Sequence, residues 1–194
     1  TSARSVTESR KPSPQATEEE AQMPRQQNEI APGTVKFFAG FEMVWCPPGT
    51  FTMGDRESTI GENSVPHEVT LSNGFWMGKY EVTQKQWSSV MGENPSHFRG
   101  DTLPVESVSW KDSQEFISRL NDRTDGKFRL PSEAEWEYAC RAGTTTSFAF
   151  GESISSLDQS NFSGTLGVYT NPNDTQKVRQ DRACTTEVGI FPAN

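Results

Sequence analysis

Residues 127–143, KFRLPSEAEWEYACRAG, leave little choice about their own conformation. Ser132 and Glu135 form a capping box, in which each side chain can satisfy a backbone N–H that a helix start leaves orphaned. Pro131 keeps the chain from continuing as helix on the N-terminal side. Glu133 and Glu135 fall in the first turn, where the positive end of the helix dipole favours carboxylates. Arg141 complements the other end and pairs at i,i+4 with Glu137, and Gly143 supplies the stop. The spacing puts Trp136, Ala139 and Cys140 on one face, with Tyr138 beside it, which is the apolar side of an amphipathic helix. A short strand-like lead, residues 127–130, precedes the cap.

The same punctuation recurs upstream. Thr83 and Gln86 make a second capping box, closed by Gly92. Ser109 caps a third helix, whose Phe116, Ile117 and Leu120 share a buried face and which ends near Asp125 and Gly126. Residues 41–45 and 50–53 read as short strands separated by Pro47, Pro48 and Gly49. In residues 66–71, Val69 and Leu71 alternate with polar neighbours, as in a half-buried strand. Ser72-Asn73-Gly74 then reads as a hairpin turn into a strand over 75–80. Residues 105–108 and 147–151 are expected to be extended, and 55–65 and 92–104 to be loops. Hydrophobic residues make up only 32% of the chain, but 12 Phe, 5 Trp and 3 Tyr favour a core built from aromatic rings. The expected fold class is α+β, with about three helices, short strands and long loops.

Residues 1–33 cannot bury enough surface to fold: they hold four prolines and three consecutive glutamates but almost no large apolar side chain. They read as a disordered tether, which would suit a domain exported or held outside the cytoplasm. Residues 34–194 carry 14 basic and 21 acidic residues, with no basic cluster, so a nucleic-acid surface is not expected. No apolar run is long enough to span a membrane.

Few residues offer chemistry by spacing alone. His67 and His97 have no partner at a metal or catalytic spacing. Cys46, Cys140 and Cys184 lie far apart, with no C-x-x-C, so neither a zinc site nor a disulfide framework is expected, although one bridge with one thiol left over stays open. Cys140 sits at the wrong end of a helix dipole for activation, Cys46 reads as packing, and Cys184 as the most exposed of the three. Residues 171–182 are rich in oxygen donors. They fail as an EF-hand because Gln176 stands where glycine is needed and Arg182 where glutamate is needed. A calcium site of another design stays open.

Several segments, in order, resemble the formylglycine-generating enzyme (sulfatase-modifying factor) family. They are GTFTMG at 49–54, PHEVTL at 66–71, FWMGKYEVTQKQW at 75–87, LPVESVSWKDSQEF at 103–116 and RLPSEAEWEYACRAG at 129–143. SNFSG at 160–164 and EVGIFPAN at 187–194 look like the next family landmarks. The blocks that follow in the family are not in this sequence, which implies a domain cut at its C-terminal side.

The resemblance implies a fold similar to that of C-type lectins. It also implies an oxygen-dependent oxidoreductase that converts the cysteine of a Cys-x-Pro-x-Arg motif in an unfolded sulfatase to formylglycine. The partner would be a protein or peptide, bound by a monomer. Family members bind copper(I) through two closely spaced cysteines, which this chain lacks, so the resemblance carries over no catalytic residue. The family's first calcium site would fall on the Asn161 side chain, the Phe162 carbonyl, the Asp181 side chain and the Ala183 carbonyl, with Asp174 competing for the carboxylate role. The alternative function is a non-catalytic, lectin-like binding or scaffolding module of the same family. A third branch, the iron-dependent sulfoxide synthases, needs a histidine-rich domain ahead of this one and ranks below both.

Overall fold

In the computed structural model, residues 30–54, 65–151, 158–161 and 183–192 are described. The expected tether falls almost wholly outside them. Where the description begins, the chain is already tied down: Gly33 N–H donates to Trp45 O at 3.1 Å.

Five strands and three helices form among the described residues: β1 (Val35–Phe38), β2 (Phe41–Cys46), β3 (Gly49–Met53), β4 (His67–Leu71), β5 (Phe75–Gly78), α1 (Gln84–Met91), α2 (Trp110–Asp122) and α3 (Glu133–Arg141). This is an α+β fold. β1 and β2 are joined by Ala39 and Gly40, both at positive φ (50° and 85°), the signature of a type I′ turn. One sheet has the order β1-β2-β5, and β3 pairs with β4 in the other, all antiparallel.

The pairing differs from the hairpin expected at Ser72-Asn73-Gly74, because β4 and β5 do not pair with each other. They instead run side by side with β3 and β2 as one bent ribbon. Cys46 pairs with Phe75 and Gly49 with Leu71, so residues 47–48 face residues 72–74, two against three. The prolines cause the bend, since Pro47 and Pro48 have no N–H to carry the ladder across. Gly74 allows it from the other side. A Cβ there would stand 2.6 Å from Trp45 Cη2 and 2.9 Å from the Cys46 carbonyl oxygen.

Behind the ribbon, α1 and α2 enclose the core. Trp87, Val90, Phe116 and Leu120 are the buried hydrophobic side chains among the described residues. Trp87 and Phe116 stack face to face at 5.0 Å, and Phe41 of β2 meets Phe116 edge-on at 6.2 Å. The core is therefore aromatic, as the composition suggested. Arg119 of α2 and Arg123, the residue that caps its C-terminus, donate to the Met91 and Ser89 carbonyls (3.4 and 2.8 Å), placing cations at the negative end of α1.

All three capping boxes form, at Thr83, Ser109 and Ser132. Gly92 closes α1 in the left-handed region, as expected. α3 stops one residue earlier than expected, with Ala142 as the left-handed cap at φ 44° and Gly143 following at 87°. Its packed face also differs. Trp136 is 59% exposed and Cys140 is exposed, whereas the expected Ala139 and Tyr138 are partly covered, together with Ala134, Glu137 and Arg141. Ala134, Glu137, Tyr138 and Arg141 follow the i, i+3, i+4, i+7 pattern of one helix face. The inward face is polar because its charged members bond to backbone, as described below. The lead over 127–130 is irregular rather than a strand. Residues 148–151 make a tight turn, with Phe148 and Gly151 exchanging both backbone hydrogen bonds.

Candidate functional site

The inner face of α3, the two halves of the ribbon and the 189–192 strip border a cleft of about 1540 Å³. Trp45 and Cys46 of β2, Phe51 of β3, Met77 of β5 and Tyr138 of α3 contribute to its walls. Burial pushes the Cys46 thiol up from its ordinary pKa, which keeps it protonated and a poor nucleophile. Cys140 and Cys184 are exposed, and none of the three is in a disulfide.

Two contacts join α3 to β3. The Tyr138 ring meets Phe51 edge-on at 5.3 Å and covers Gly49, where a Cβ would lie 3.2 Å from Tyr138 Cζ and closer still to its hydroxyl. At the other end of the strand, Glu137 Oε1 accepts from Gly54 N–H at 2.8 Å and from Arg141 Nε at 2.8 Å. Arg141 Nη2 then donates to Gly54 O at 2.9 Å. The i,i+4 ion pair foreseen in the sequence thus closes around both backbone groups of one glycine. Gly54 is at φ 95°, a conformation that favours this residue type.

Away from the cleft, the loop after α1 is held by polar groups that spacing did not single out. Gln84 is 1% exposed. Its Nε2 donates to Phe98 O and Pro104 O (2.7 and 3.2 Å), while Oε1 accepts from Asn94 Nδ2 and Gly100 N (2.7 and 3.1 Å). The Glu106 carboxylate accepts from the Ser107 hydroxyl, Phe98 N–H and His97 N–H, and these bonds hold its pKa below the usual carboxylate range. The strip carrying the last landmark docks on the same loop through Val188 N–H to Thr102 O and Thr102 Oγ1 to Glu187.

Of the expected calcium residues, Asn161 and Ala183 are described, while Phe162, Asp181 and Asp174 lie outside the described residues. The two strips that carry them meet: Asn161 Nδ2 donates to Cys184 O at 2.9 Å. On either side of this bond, Ser160 Oγ and Thr185 Oγ1 are buried without a hydrogen-bond partner. Buried hydroxyls without a protein partner can be met by an ordered water or by a cation. Among the described residues no three His, Cys, Asp or Glu side chains gather as a metal cluster. A copper(I) site of two neighbouring thiolates does not fit cysteines at positions 46, 140 and 184, one half-buried and two exposed.

A family model described as "Sulfatase-modifying factor enzyme 1-like domain" matches residues 27–194. A protein named chaperone protein LppX from Paenibacillus barcinonensis is 32% identical over 170 residues, covering 63% of this chain and 59% of that protein. The formylglycine-generating enzyme of Mus musculus is 27% identical, covering 53% of this chain and 40% of its own length. That of Mycobacterium tuberculosis is 39% identical over 95 residues, covering 47% and 27%. The chain therefore spans less than two thirds of these relatives. Among solved structures, PvdO from Pseudomonas aeruginosa superposes with a TM-score of 0.65 at 26% identity, over 86% of this chain and 69% of that one.

Proposed function

Because the chain belongs to the sulfatase-modifying factor enzyme 1-like family, we propose that it is part of a formylglycine-generating-type oxidoreductase domain acting on a cysteine of a Cys-x-Pro-x-Arg polypeptide, such as an unfolded sulfatase. The observation that carries this reading is the clamp between two family segments, with Tyr138 on Gly49 and Glu137–Arg141 around Gly54. In this reading the described residues build and brace the cleft, and the cleft receives the polypeptide. The thiol pair that would bind copper is not among this chain's cysteines, so no chemical step is assigned to its residues.

Calcium is the second element of the reading, held by Asn161, Phe162, Asp181 and Ala183. When bound, the ion would tie the two strips together. The bond from Asn161 to the Cys184 carbonyl and the unpaired hydroxyls on either side of it support the placement.

A specific observation favours one alternative, a non-catalytic module that binds polypeptide. The LppX relative, similar over 63% of this chain, is named a chaperone. Incubating the full-length protein with a Cys-x-Pro-x-Arg peptide, oxygen and copper(I) separates the two. Aldehyde formed at that cysteine, detected by mass spectrometry and hydrazide capture, is the expected result. Peptide binding without aldehyde would leave the binding module, and the absence of both binding and aldehyde would remove both readings.

A further inference from the structure

Among the described residues β1 is the outer strand of its sheet, and its residues alternate in what they offer. The turn at Ala39 and Gly40 makes Phe38 and Phe41 a hydrogen-bonded pair, so Lys36 and Met43 form the next one. The bond from Trp45 N–H to Thr34 O continues the same phase. Val35 and Phe37 therefore turn their N–H and C=O groups outward, away from β2. Nothing among the described residues bonds to those groups. The whole strand is exposed, Phe37 at 73%. An uncovered edge of this kind is a template for another strand.

Two observations say what the edge would take. A row of side chains crosses the sheet in register from Met77 through Val44 to Val35, and all three line the cleft. A strand added beside β1 would lengthen that row by one residue, on the cleft side. Lys36 disfavours a second copy of this chain as the occupant. In antiparallel pairing of two β1 strands through Val35 and Phe37, the two Lys36 residues fall directly opposite each other, and like charges so placed are destabilising. We propose that β1 holds its partner polypeptide by strand addition: an extended segment bonds to the outward groups of Val35 and Phe37 and places alternate side chains over the cleft. The partner needs an apolar side chain opposite Val35 and a neutral or acidic one opposite Lys36. This binding mode rests on the reading of the cleft as a polypeptide site and adds which backbone atoms grip the partner. Proline has no N–H to give to a ladder, so the pairing segment is one that flanks the Cys-x-Pro-x-Arg motif.

Hydrogen exchange read at single amides tests this on the full-length protein, with and without a Cys-x-Pro-x-Arg peptide that carries flanking sequence on both sides. In the free protein the Val35 and Phe37 amides should exchange fast, while those of Lys36 and Phe38, bonded to β2, exchange slowly. Peptide binding should make Val35 and Phe37 slow as well. Phe37→Pro removes one outward donor and keeps the ladder to β2, as proline can on an edge strand. Its peptide affinity should fall about fivefold below that of Phe37→Ala, the factor for one neutral hydrogen bond of ordinary net strength. The wild-type exchange pattern is read independently of either variant. Peptide that binds without slowing Val35 and Phe37 would overturn the inference and leave the polypeptide reading standing. Equal affinities for Phe37→Pro and Phe37→Ala would overturn it too. Slow exchange at both amides in the free protein would do the same, since the edge would then be covered by the protein's own chain. No peptide binding by wild type would remove the polypeptide reading, and this inference with it.

Discussion

Gly49 has no side chain because Tyr138 occupies the space: a Cβ there would press into the phenol, 3.2 Å from Cζ and nearer still to the hydroxyl. This contact, 89 residues apart in sequence, is where the first and the most recognisable family segments meet.

Gly49→Ala should therefore destabilise the protein by about 1–3 kcal/mol, the usual range for forcing atoms into a filled site. Removing the obstructing hydroxyl with Tyr138→Phe should recover part of that loss. Chemical denaturation of both single variants and the double variant measures the coupling. Strictly additive effects would mean that the two residues do not compete for space.

Gln84 offers a different test, because it is buried and every polar group it carries is bonded. Gln84→Leu keeps much of the volume but strands the carbonyls of Phe98 and Pro104 and the donors of Asn94 and Gly100. A loss of about 2–4 kcal/mol is expected, as for breaking a satisfied buried network. Limited proteolysis should show new cleavage within residues 93–104. An unchanged digestion pattern would mean that the loop is held by other contacts.

The pH dependence at Glu135 has a definite sign. Arg129 grips this carboxylate with two bonds (2.7 and 2.5 Å), and Ser132 N–H donates to it as well. Together they lower its pKa from 4.5 to about 2, with the Arg129 hydrogen bond as the largest cause. The folded state thus holds the proton less tightly than the unfolded chain. The stabilisation is fully present above pH 4.5 and disappears as the pH falls towards 2. Glu135→Gln should flatten the fall in stability across that window and cost about 1 kcal/mol at neutral pH. The cost is small because Arg129 is 58% exposed and the capping bond is partly retained. Equal slopes for wild type and variant between pH 4.5 and 2 would rule out this assignment.

Ala39 marks a place where the native residue is not the best one. It occupies the first central position of a two-residue turn at φ 50°, a conformation that alanine adopts at a cost and asparagine tolerates. Ala39→Asn next to Gly40 should stabilise the fold by about 1 kcal/mol, read as a raised melting temperature. Ala39→Val should lower it.

What could be read in advance was local. Ser132 with Glu135, Thr83 with Gln86, and Ser109 each announce a helix start within four residues, and each start is found. The partner of β5 was not legible. Ser72-Asn73-Gly74 has the composition of a hairpin turn, but pairing was decided across the sheet by Pro47 and Pro48, which break the ladder opposite it. The inward face of α3 was misread for a related reason. Apolar periodicity favours Trp136, whereas Glu137 and Arg141 are drawn inward by the Gly54 backbone, which no window around the helix contains. At the proposed calcium site, resemblance supplied Asn161 and Ala183. The unpaired hydroxyls of Ser160 and Thr185 emerge only from burial.

The Glu137–Arg141 grip on Gly54 also sets a clock. Its bonds span 83 and 87 residues. At a ribosomal pace of roughly 5–20 residues per second, the end of β3 leaves the ribosome several seconds before the helix that secures it exists. The β3–β4 ribbon must spend that interval with its α3-facing surface bare, while the α1–α2 core can already close. A nascent chain stalled between Gly54 and Glu137 is thus the species most in need of protection from its neighbours.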